Sequence, residues 1–368
     1  MKTTNRYNPN TFNALHAGLA FLAYWAVTLL IALGLFLVLN GVGTVENAYP
    51  YYCLELILNA LGLGGLTWLF SRLRRCNPID GGGFLVRKGC GTELLMAAVL
   101  ALGMAAVFAP LADSFAVDYE IFRIALKIKT TTLPTVADSA WGYLYTYLLL
   151  PFLPAICEEL FFRGVIARGL LEWGKLPAVL ISAVVFSLAH GSADRLVYQF
   201  LFGIALAFVY FETKNLLVPI FAHLANNLYS TWGQLPSAML GKGLSFMAYD
   251  SLIGMFSVLF GFVCLISAFI YFGKRFVLTS RREEKTRGDV RATFLERTSA
   301  GETFVLTPWY DCGNLSENAE SKIFLSSGKK GGRVAMNGKS NRRRTVFALV
   351  LGGAFALTKI ILTFLSIL

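Results

Sequence analysis

Residues 140–163 read AWGYLYTYLLLPFLPAICEELFFR, and this stretch decides the fold. A long apolar run leads directly into Glu158, Glu159 and Arg163. Charged side chains at membrane depth are costly, so those that persist there are candidates for function. The stretch therefore predicts a membrane helix in which two carboxylates and a guanidinium have a functional role.

The composition around this stretch is that of a membrane protein. The 368 residues are 56% hydrophobic and 15% charged, with a mean hydropathy of +0.59, whereas soluble proteins carry about a quarter charged residues. The net charge of +11 is concentrated in residues 274–344, which hold 16 Lys and Arg against 8 Asp and Glu. Basic residues beside membrane spans mark the cytoplasmic side and bind anionic lipid. We therefore expect membrane lipids as partners and no nucleic-acid binding.

Nine apolar runs are long enough to be candidate spans. They predict an all-α fold, a polytopic transmembrane helix bundle with about eight to nine spans in the cell membrane. The positions of Lys and Arg place the N-terminus and the basic tail in the cytoplasm. The fourth run contains Pro151 and Pro154, which permit a kink without ending a membrane helix. The runs are residues 17–39, 54–70, 94–111, 140–173, 177–189, 196–211, 216–232, 252–272 and 346–368.

These runs give a predicted division of the chain. Lys359 lies near the centre of the last run, where it can snorkel or pack against the bundle. The six cysteines form no CxxC pair, so no disulfide framework is expected. The expected parts are N-terminal transmembrane helices (1–139), a catalytic helical core (140–232), an eighth span (233–273), a basic and disordered cytoplasmic segment (274–344) and a C-terminal apolar helix (345–368).

The glutamates form the first of three polar groups within the apolar runs. Glu159 and Arg163 are four residues apart, so they share a helix face and can form an ion pair. Glu158 points about 100° away around a helix with 3.6 residues per turn. We therefore expect Arg163 to neutralise Glu159 and to leave Glu158 free to face a cavity.

Two histidines form the other polar groups. His190 ends the fifth run, and Phe186 lies one turn before it, where it can wall one side of a pocket. His223 and Asn227 are four residues apart in the seventh run and enter the same space. Histidine supplies acid–base function or a metal ligand, and an asparagine amide can donate a hydrogen bond to an oxyanion.

Together these groups suit peptide hydrolysis within the membrane. Glu158, assisted by His190, would take a proton from water, and the resulting hydroxide would attack the scissile carbonyl. His223 and Asn227 would stabilise the oxyanion that forms. No serine or cysteine triad fits as well, and the HExxH motif is absent.

The three groups resemble, in order, the motifs of the CPBP family. This family comprises the CAAX proteases and bacteriocin-processing enzymes, also called the Abi family, and includes the type II CAAX prenyl endopeptidases. The resemblance covers the chain from the fourth to the seventh run and implies an intramembrane endopeptidase acting on membrane-anchored or lipidated peptides or proteins. The matching residues are Glu158-Glu159-x-x-x-Arg163, Phe186-x-x-x-His190 and His223-x-x-x-Asn227.

The resemblance also implies a role for each matching residue and leaves open whether the protein needs a metal ion. Glu158 and His190 would activate water and His223 and Asn227 would hold the oxyanion, with Glu159, Arg163 and Phe186 in support. Family members are described both as metal-independent glutamate proteases and as metalloproteases. We expect no cofactor, because the arginine and asparagine have clearer roles without one. The alternative is zinc held by residues drawn from Glu158, Glu159, His190 and His223.

Two readings without catalysis stay open at the level of sequence. One is a non-catalytic membrane protein, such as a bacteriocin-immunity factor. The other is a transporter that uses the buried carboxylates as a proton relay, although two matched halves with broken helices are not evident. The presence of both a base and oxyanion donors favours the enzyme.

Overall fold

A computed structural model describes residues 12–42, 49–74, 90–125, 140–191, 195–232, 252–299 and 338–364. These residues are almost all helical, and no strand occurs among them. The elements in chain order are α1 (Ala14–Val42), α2 (Tyr49–Arg74), α3 (Cys90–Ala125), α4 (the successive helical segments of residues 140–173), α5 (Lys175–Ala189), α6 (Leu196–Thr213), α7 (Leu217–Trp232), α8 (Leu252–Ser299) and α9 (Gly338–Phe364).

The fold is a multi-pass bundle of membrane helices, as the hydropathy predicts. Six of the described helices are long and apolar enough to cross a membrane, namely α1, α2, α3, α6, α8 and α9. The other three differ: α5 has 15 residues, α7 has 16, and α4 is divided into several segments. The helical class is therefore confirmed, and the number of eight to nine spans stays a prediction.

Helix α4 contains two π-helical turns, one before and one after the α-helical segment that carries the glutamates. A π-helical turn over Leu144–Leu149 precedes Pro151, and a second over Phe162–Ala167 follows the α-helical segment Leu150–Phe161. Single π turns inside helices occur frequently at functional sites. The helical path continues to Trp173 and ends at Gly174, whose φ of 108° is a backbone conformation that favours glycine. The carboxylates thus lie on an irregular helix that nevertheless stays helical throughout.

The C-terminal helix α9 packs along α1 in the same compact unit as the candidate core. At Gly18, an added Cβ would lie 3.0 Å from the backbone oxygen of Thr345, and at Gly352 it would lie 2.6 Å from the ring of Phe21. Small residues at such positions let membrane helices approach closely. Of the two alternatives for the last run, packing against the bundle is the one observed.

The basic segment differs from its prediction. The chain divides into one unit of residues 1–269 with 338–368 and a second of residues 270–337. Because α8 continues to Ser299 and α9 begins at Gly338, disorder over 274–344 is wrong for residues 274–299 and 338–344. Residues 281–287 read RREEKTR, a composition that favours a helix. The Gly- and Ser-rich residues that suggested disorder belong mostly to 300–337, which lies outside the described residues.

Candidate functional site

Glu159 joins helices α4 and α7 at the centre of the candidate site. Its side chain is fully buried, and Oε1 accepts a hydrogen bond from NH1 of Arg163 at 2.6 Å. The same oxygen lies 2.8 Å from Nδ1 of His223. The ion pair expected from the four-residue spacing is therefore present. His223, 64 residues further along the chain, contacts the same carboxylate oxygen.

Arg163 connects this carboxylate to two further helices. Its guanidinium donates from NH2 to the backbone oxygen of Gly203 in α6 at 3.3 Å, and its Cζ lies 4.4 Å from the ring centroid of Phe186 in α5. Arg163 itself is 1% exposed. A buried guanidinium is tolerated where a carboxylate and further acceptors surround it. Four helices thus meet around one buried ion pair.

The two histidines both contact Phe186. The ring centroid of Phe186 is 4.8 Å from that of His190 and 5.8 Å from that of His223. Phe186 is fully buried, so both contacts lie inside the protein. The aromatic ring therefore contacts both imidazoles, whereas its spacing predicts contact with His190 alone.

The hydrogen bond of His190 fixes its tautomer. Nδ1 lies 2.9 Å from the backbone oxygen of Phe186, and a carbonyl oxygen can only accept, so Nδ1 carries the proton and donates it. In the neutral ring, Nε2 therefore holds a lone pair. His190 also interacts electrostatically with Glu158 and with His223. The ring is held in the orientation that a proton acceptor requires.

Glu158, like Glu159, has a buried carboxylate oxygen without a hydrogen-bond partner among the described residues. In Glu158 this oxygen is Oε2. The carboxylate interacts electrostatically with His190, with Arg163 and with Tyr24 of α1. A buried carboxylate oxygen without a donor is costly, so its retention points to a ligand or to water in the functional state.

Asn227 lies on the same face of α7 as His223, but the two side chains reach different parts of α4. Nδ2 of Asn227 donates to the backbone oxygen of Pro151 at 3.3 Å, whereas His223 contacts Glu159, eight residues further along. Its Oδ1 accepts from Nδ2 of Asn226 at 3.3 Å. One of the two amide hydrogens of Asn227 is used in the bond with Pro151, which leaves the other for a ligand.

The state of His223 determines what it can donate. Nδ1 faces a carboxylate that also accepts from Arg163, so Nδ1 carries a proton. Nε2 is then a donor only if the ring is an imidazolium. The cluster can thus supply a proton acceptor at Nε2 of His190 and, when His223 is an imidazolium, a donor at Nε2 of His223.

Sequence reasoning missed two contributors to this region. The hydroxyl of Tyr24 donates to the backbone oxygen of Ala189 at 2.9 Å, next to His190, and its ring lies 6.1 Å from that of Phe162. The hydroxyl of Tyr198 donates to Oδ1 of Asn226, beside Asn227. Both tyrosines lie within apolar runs, where nothing in the spacing distinguishes them from ordinary packing residues. Residues 192–194, which follow His190 and Gly191, lie outside the described residues.

The four residues named for a zinc site do not converge as a ligand set. Among the described residues, no group of three or more His, Cys, Asp or Glu side chains is arranged to hold a metal ion. Nδ1 of His223 bonds to Oε1 of Glu159, which leaves Nε2 as the other possible ligand atom of that ring. The zinc-dependent alternative stays a prediction.

Two cavities lie away from the polar cluster. One, of about 570 Å³, is lined by residues of α9 alone, and the other, of about 160 Å³, lies between α9, α1 and the end of α4. Neither is lined by a predicted site residue. The lining residues of the larger are Arg342, Arg343, Val346, Phe347 and Val350.

Fold and site together define a helical membrane protein with buried acid–base side chains on α4, α5 and α7. Residues 140–229 match the family model described as "Type II CAAX prenyl endopeptidase Rce1-like". The resemblance to CAAX-type proteases recognised from the three motifs is confirmed for this segment.

A relative and the solved structures complete the comparison. The chain is 31% identical over 120 residues to "Putative membrane peptidase YdiL" of Bacillus subtilis (strain 168). That alignment covers 32% of this chain and 48% of the relative, so it spans about half of the relative's length. No solved structure gives a significant match. The family match concerns the candidate core and does not include α8 or α9.

Proposed function

We propose that the protein is an intramembrane endopeptidase that hydrolyses peptide bonds of membrane-associated substrates with a water activated by Glu158. The proposal rests on the buried Oε2 of Glu158, which has no hydrogen-bond partner among the described residues. The same carboxylate interacts electrostatically with His190. The family match over residues 140–229 and the peptidase relative support the same class of reaction.

In the proposed reaction, Glu158 and His190 activate the water, and His223 and Asn227 stabilise the oxyanion. A water molecule loses a proton to Glu158 while Nε2 of His190 accepts its second hydrogen bond, and the hydroxide oxygen attacks the scissile carbonyl carbon. The carbonyl oxygen becomes an oxyanion, which the imidazolium of His223 and the remaining amide hydrogen of Asn227 stabilise. The C–N bond then breaks, and the proton held by Glu158 passes to the leaving amine.

Glu159, Arg163 and Phe186 support these groups without touching the substrate. Glu159 keeps His223 oriented, and Arg163 keeps the carboxylate of Glu159 in place. Phe186 packs against both imidazoles and accepts the hydrogen bond of His190 through its backbone oxygen. Positioning of this kind lowers the barrier because the donors need no reorganisation during the reaction.

The substrates are membrane-anchored or lipidated peptides and proteins, either CAAX-type prenylated tails or peptide precursors. The protein acts in the cell membrane with its N-terminus and basic segment in the cytoplasm. The positive residues beside α8 and α9 support this orientation, since cytoplasmic loops are rich in Lys and Arg.

Comparative peptidomics of membranes tests the proposal directly. Cells that express the unchanged chain are compared with cells that express Glu158→Gln at the same level. We expect a set of peptide fragments, and the matching shortened membrane proteins, to appear only with Glu158. Identical peptide profiles at equal protein levels would contradict the proteolytic function and favour a non-catalytic membrane role.

Chelation tests the proposal that no metal takes part. We expect cleavage by the purified protein to keep its rate after exhaustive dialysis against EDTA and 1,10-phenanthroline, because Glu158 and His190 suffice to activate water. Metal content is measured on the same sample by mass spectrometry. Loss of activity on chelation with recovery on adding zinc would replace this mechanism by the zinc-dependent alternative.

A further inference from the structure

Helix α6 contributes none of the predicted site residues, yet it packs against α7, the helix that carries His223 and Asn227. Tyr198 and Phe202 are four residues apart on α6, and their rings stack with centroids 6.0 Å and planes 9° apart. The ring of Phe202 also contacts that of His223, with centroids 5.6 Å apart. Both α6 side chains are buried, so they are placed to act on residues of α7 and not on a ligand.

A chain of three hydrogen bonds connects Tyr198 to Asn227 and continues to α4. The hydroxyl of Tyr198 donates to Oδ1 of Asn226. Nδ2 of Asn226 donates to Oδ1 of Asn227 at 3.3 Å, and Nδ2 of Asn227 donates to the backbone oxygen of Pro151 at 3.3 Å. Each amide accepts through its oxygen and donates through its nitrogen. The chain therefore has a single direction, from α6 through α7 to α4.

The direction of this chain decides which atom of Asn227 is left for a ligand. If the amide of Asn227 rotated by 180°, its Nδ2 would face Nδ2 of Asn226 and its Oδ1 would face the oxygen of Pro151. Neither contact is a hydrogen bond, because one joins two donors and the other joins two acceptors. The observed orientation leaves one hydrogen of Nδ2 for a ligand, which is what an oxyanion requires. The reversed amide would offer an acceptor in its place.

The hydroxyl of Tyr198 is needed because it fixes the orientation of Asn226. Without this donor, Asn226 could rotate and turn its oxygen towards Asn227, and the amide of Asn227 would then have to reverse to restore a hydrogen bond. Hydrogen bonds in such a chain also polarise one another, so accepting at Oδ1 makes the remaining N–H of Asn227 a stronger donor. Tyr198 therefore affects both the direction and the strength of this donor.

We infer that Tyr198 and Asn226 are positioning residues that keep an N–H of Asn227, and not its oxygen, available to the oxyanion. This inference rests on the proposed function, which assigns Asn227 to the oxyanion. Asn226 is 4% exposed and both of its side-chain polar atoms are engaged, whereas Asn227 is half-buried. Asn227 is thus the amide that can meet a substrate. Phe202 supports the other donor, His223, so α6 aligns both oxyanion donors.

Steady-state kinetics of the full chain in lipid vesicles tests the inference. The substrate is a peptide that spans a cleavage site found by the peptidomics comparison. Tyr198→Phe removes only the hydroxyl and keeps the ring that stacks on Phe202. We expect kcat to fall about fivefold to tenfold, as for the loss of one hydrogen bond. We expect KM to stay unchanged, because the affected donor acts in the transition state alone.

Double variants separate positioning from general packing. Asn227→Ala is expected to lower kcat by about 10²- to 10³-fold, the usual effect of removing one oxyanion donor. If Tyr198 and Asn226 act only through Asn227, neither Tyr198→Phe nor Asn226→Ala lowers kcat further in the Asn227→Ala background. Tyr229→Phe supplies the matched control. It removes an α7 hydroxyl that bonds to Oγ of Ser257 in α8 at 2.7 Å, so we expect kcat and KM to stay unchanged.

The thermal midpoint of each variant is recorded, and Tyr198→Phe carries the test if Asn226→Ala fails to accumulate. Three results would overturn the inference and leave the proposed protease intact. These are an unchanged kcat in Tyr198→Phe, an unchanged kcat in Asn227→Ala, or a loss in Tyr198→Phe that is equally large in the Asn227→Ala background. Failure of the proteolytic function appears separately, as a peptide profile that is independent of Glu158, and the inference then falls with it.

Discussion

Replacing Glu158 by glutamine is expected to lower the rate of peptide hydrolysis by about 10²- to 10⁴-fold, the usual contribution of a general base. Glutamine has almost the same shape but cannot take a proton from water. Because Oε2 of Glu158 has no hydrogen-bond partner among the described residues, the substitution breaks no internal bond there. The variant should therefore insert, accumulate and melt like the unchanged chain.

The measurement is single-turnover hydrolysis by the full chain in lipid vesicles, with the thermal midpoint of each variant recorded alongside. His190→Ala is expected to give a loss of similar size, since Nε2 of His190 orients the same water. Cys157→Ala supplies the matched control, because its thiol is adjacent in sequence but has no role in the proposed reaction. An unchanged rate in Glu158→Gln, or loss of activity in Cys157→Ala, would contradict the assignment of Glu158.

Glu159→Gln separates the two carboxylates. Oε1 of Glu159 accepts from both Arg163 and His223, and the side chain is completely buried, so it is poorly placed to receive a proton from a substrate water. We expect its replacement to lower stability as well as rate, whereas Glu158→Gln lowers the rate alone. A stable Glu159→Gln variant without activity, beside an active Glu158→Gln variant, would reverse the two roles.

The sequence predicts those features of the site that depend on the geometry of a single helix. The pairing of Glu159 with Arg163 follows from their four-residue spacing. The proximity of Phe186 and His190 follows from the same four-residue spacing. The hydrogen bond that His190 donates goes to the backbone oxygen of Phe186, which the side-chain pattern does not predict. Helix bounds agree within five residues for α1, α2 and α4 to α7, because apolar runs between polar turns define them. Helices α3, α8 and α9 extend well beyond their apolar runs into polar sequence.

Contacts between helices are what the sequence does not predict. The bond from His223 to Glu159 crosses 64 residues, and the approach of Lys359 to Gly191 crosses still more of the chain. Both depend on the tilt and shift of one helix against another, which packing at positions such as Gly18 and Gly352 determines. Periodicity identifies the face on which a side chain lies but not which helix that face meets. For the same reason Tyr24 could not be distinguished from a packing residue.

The buried ion pair is expected to give the largest effect on stability. Removing one partner of such a pair typically costs about 3–5 kcal/mol, because the other charge stays buried without compensation. Arg163→Met leaves the carboxylate of Glu159, 0% exposed, with His223 as its remaining donor among the described residues. We therefore expect Arg163→Met to accumulate poorly and to melt at a much lower temperature.

A double-mutant cycle tests whether this loss comes from the unpaired charge. The free energy of unfolding in detergent is measured for Arg163→Met, for Glu159→Gln and for the double variant. We expect the double variant to recover much of the stability lost by Arg163→Met, since neither charge is then buried, and to stay inactive because His223 has lost its carboxylate. Arg343→Met, at an exposed position on α9, serves as the control for loss of a positive charge. If the two single effects simply add, Arg163 contributes by packing against Phe186 and Gly203, and the ion pair does not hold the four helices together.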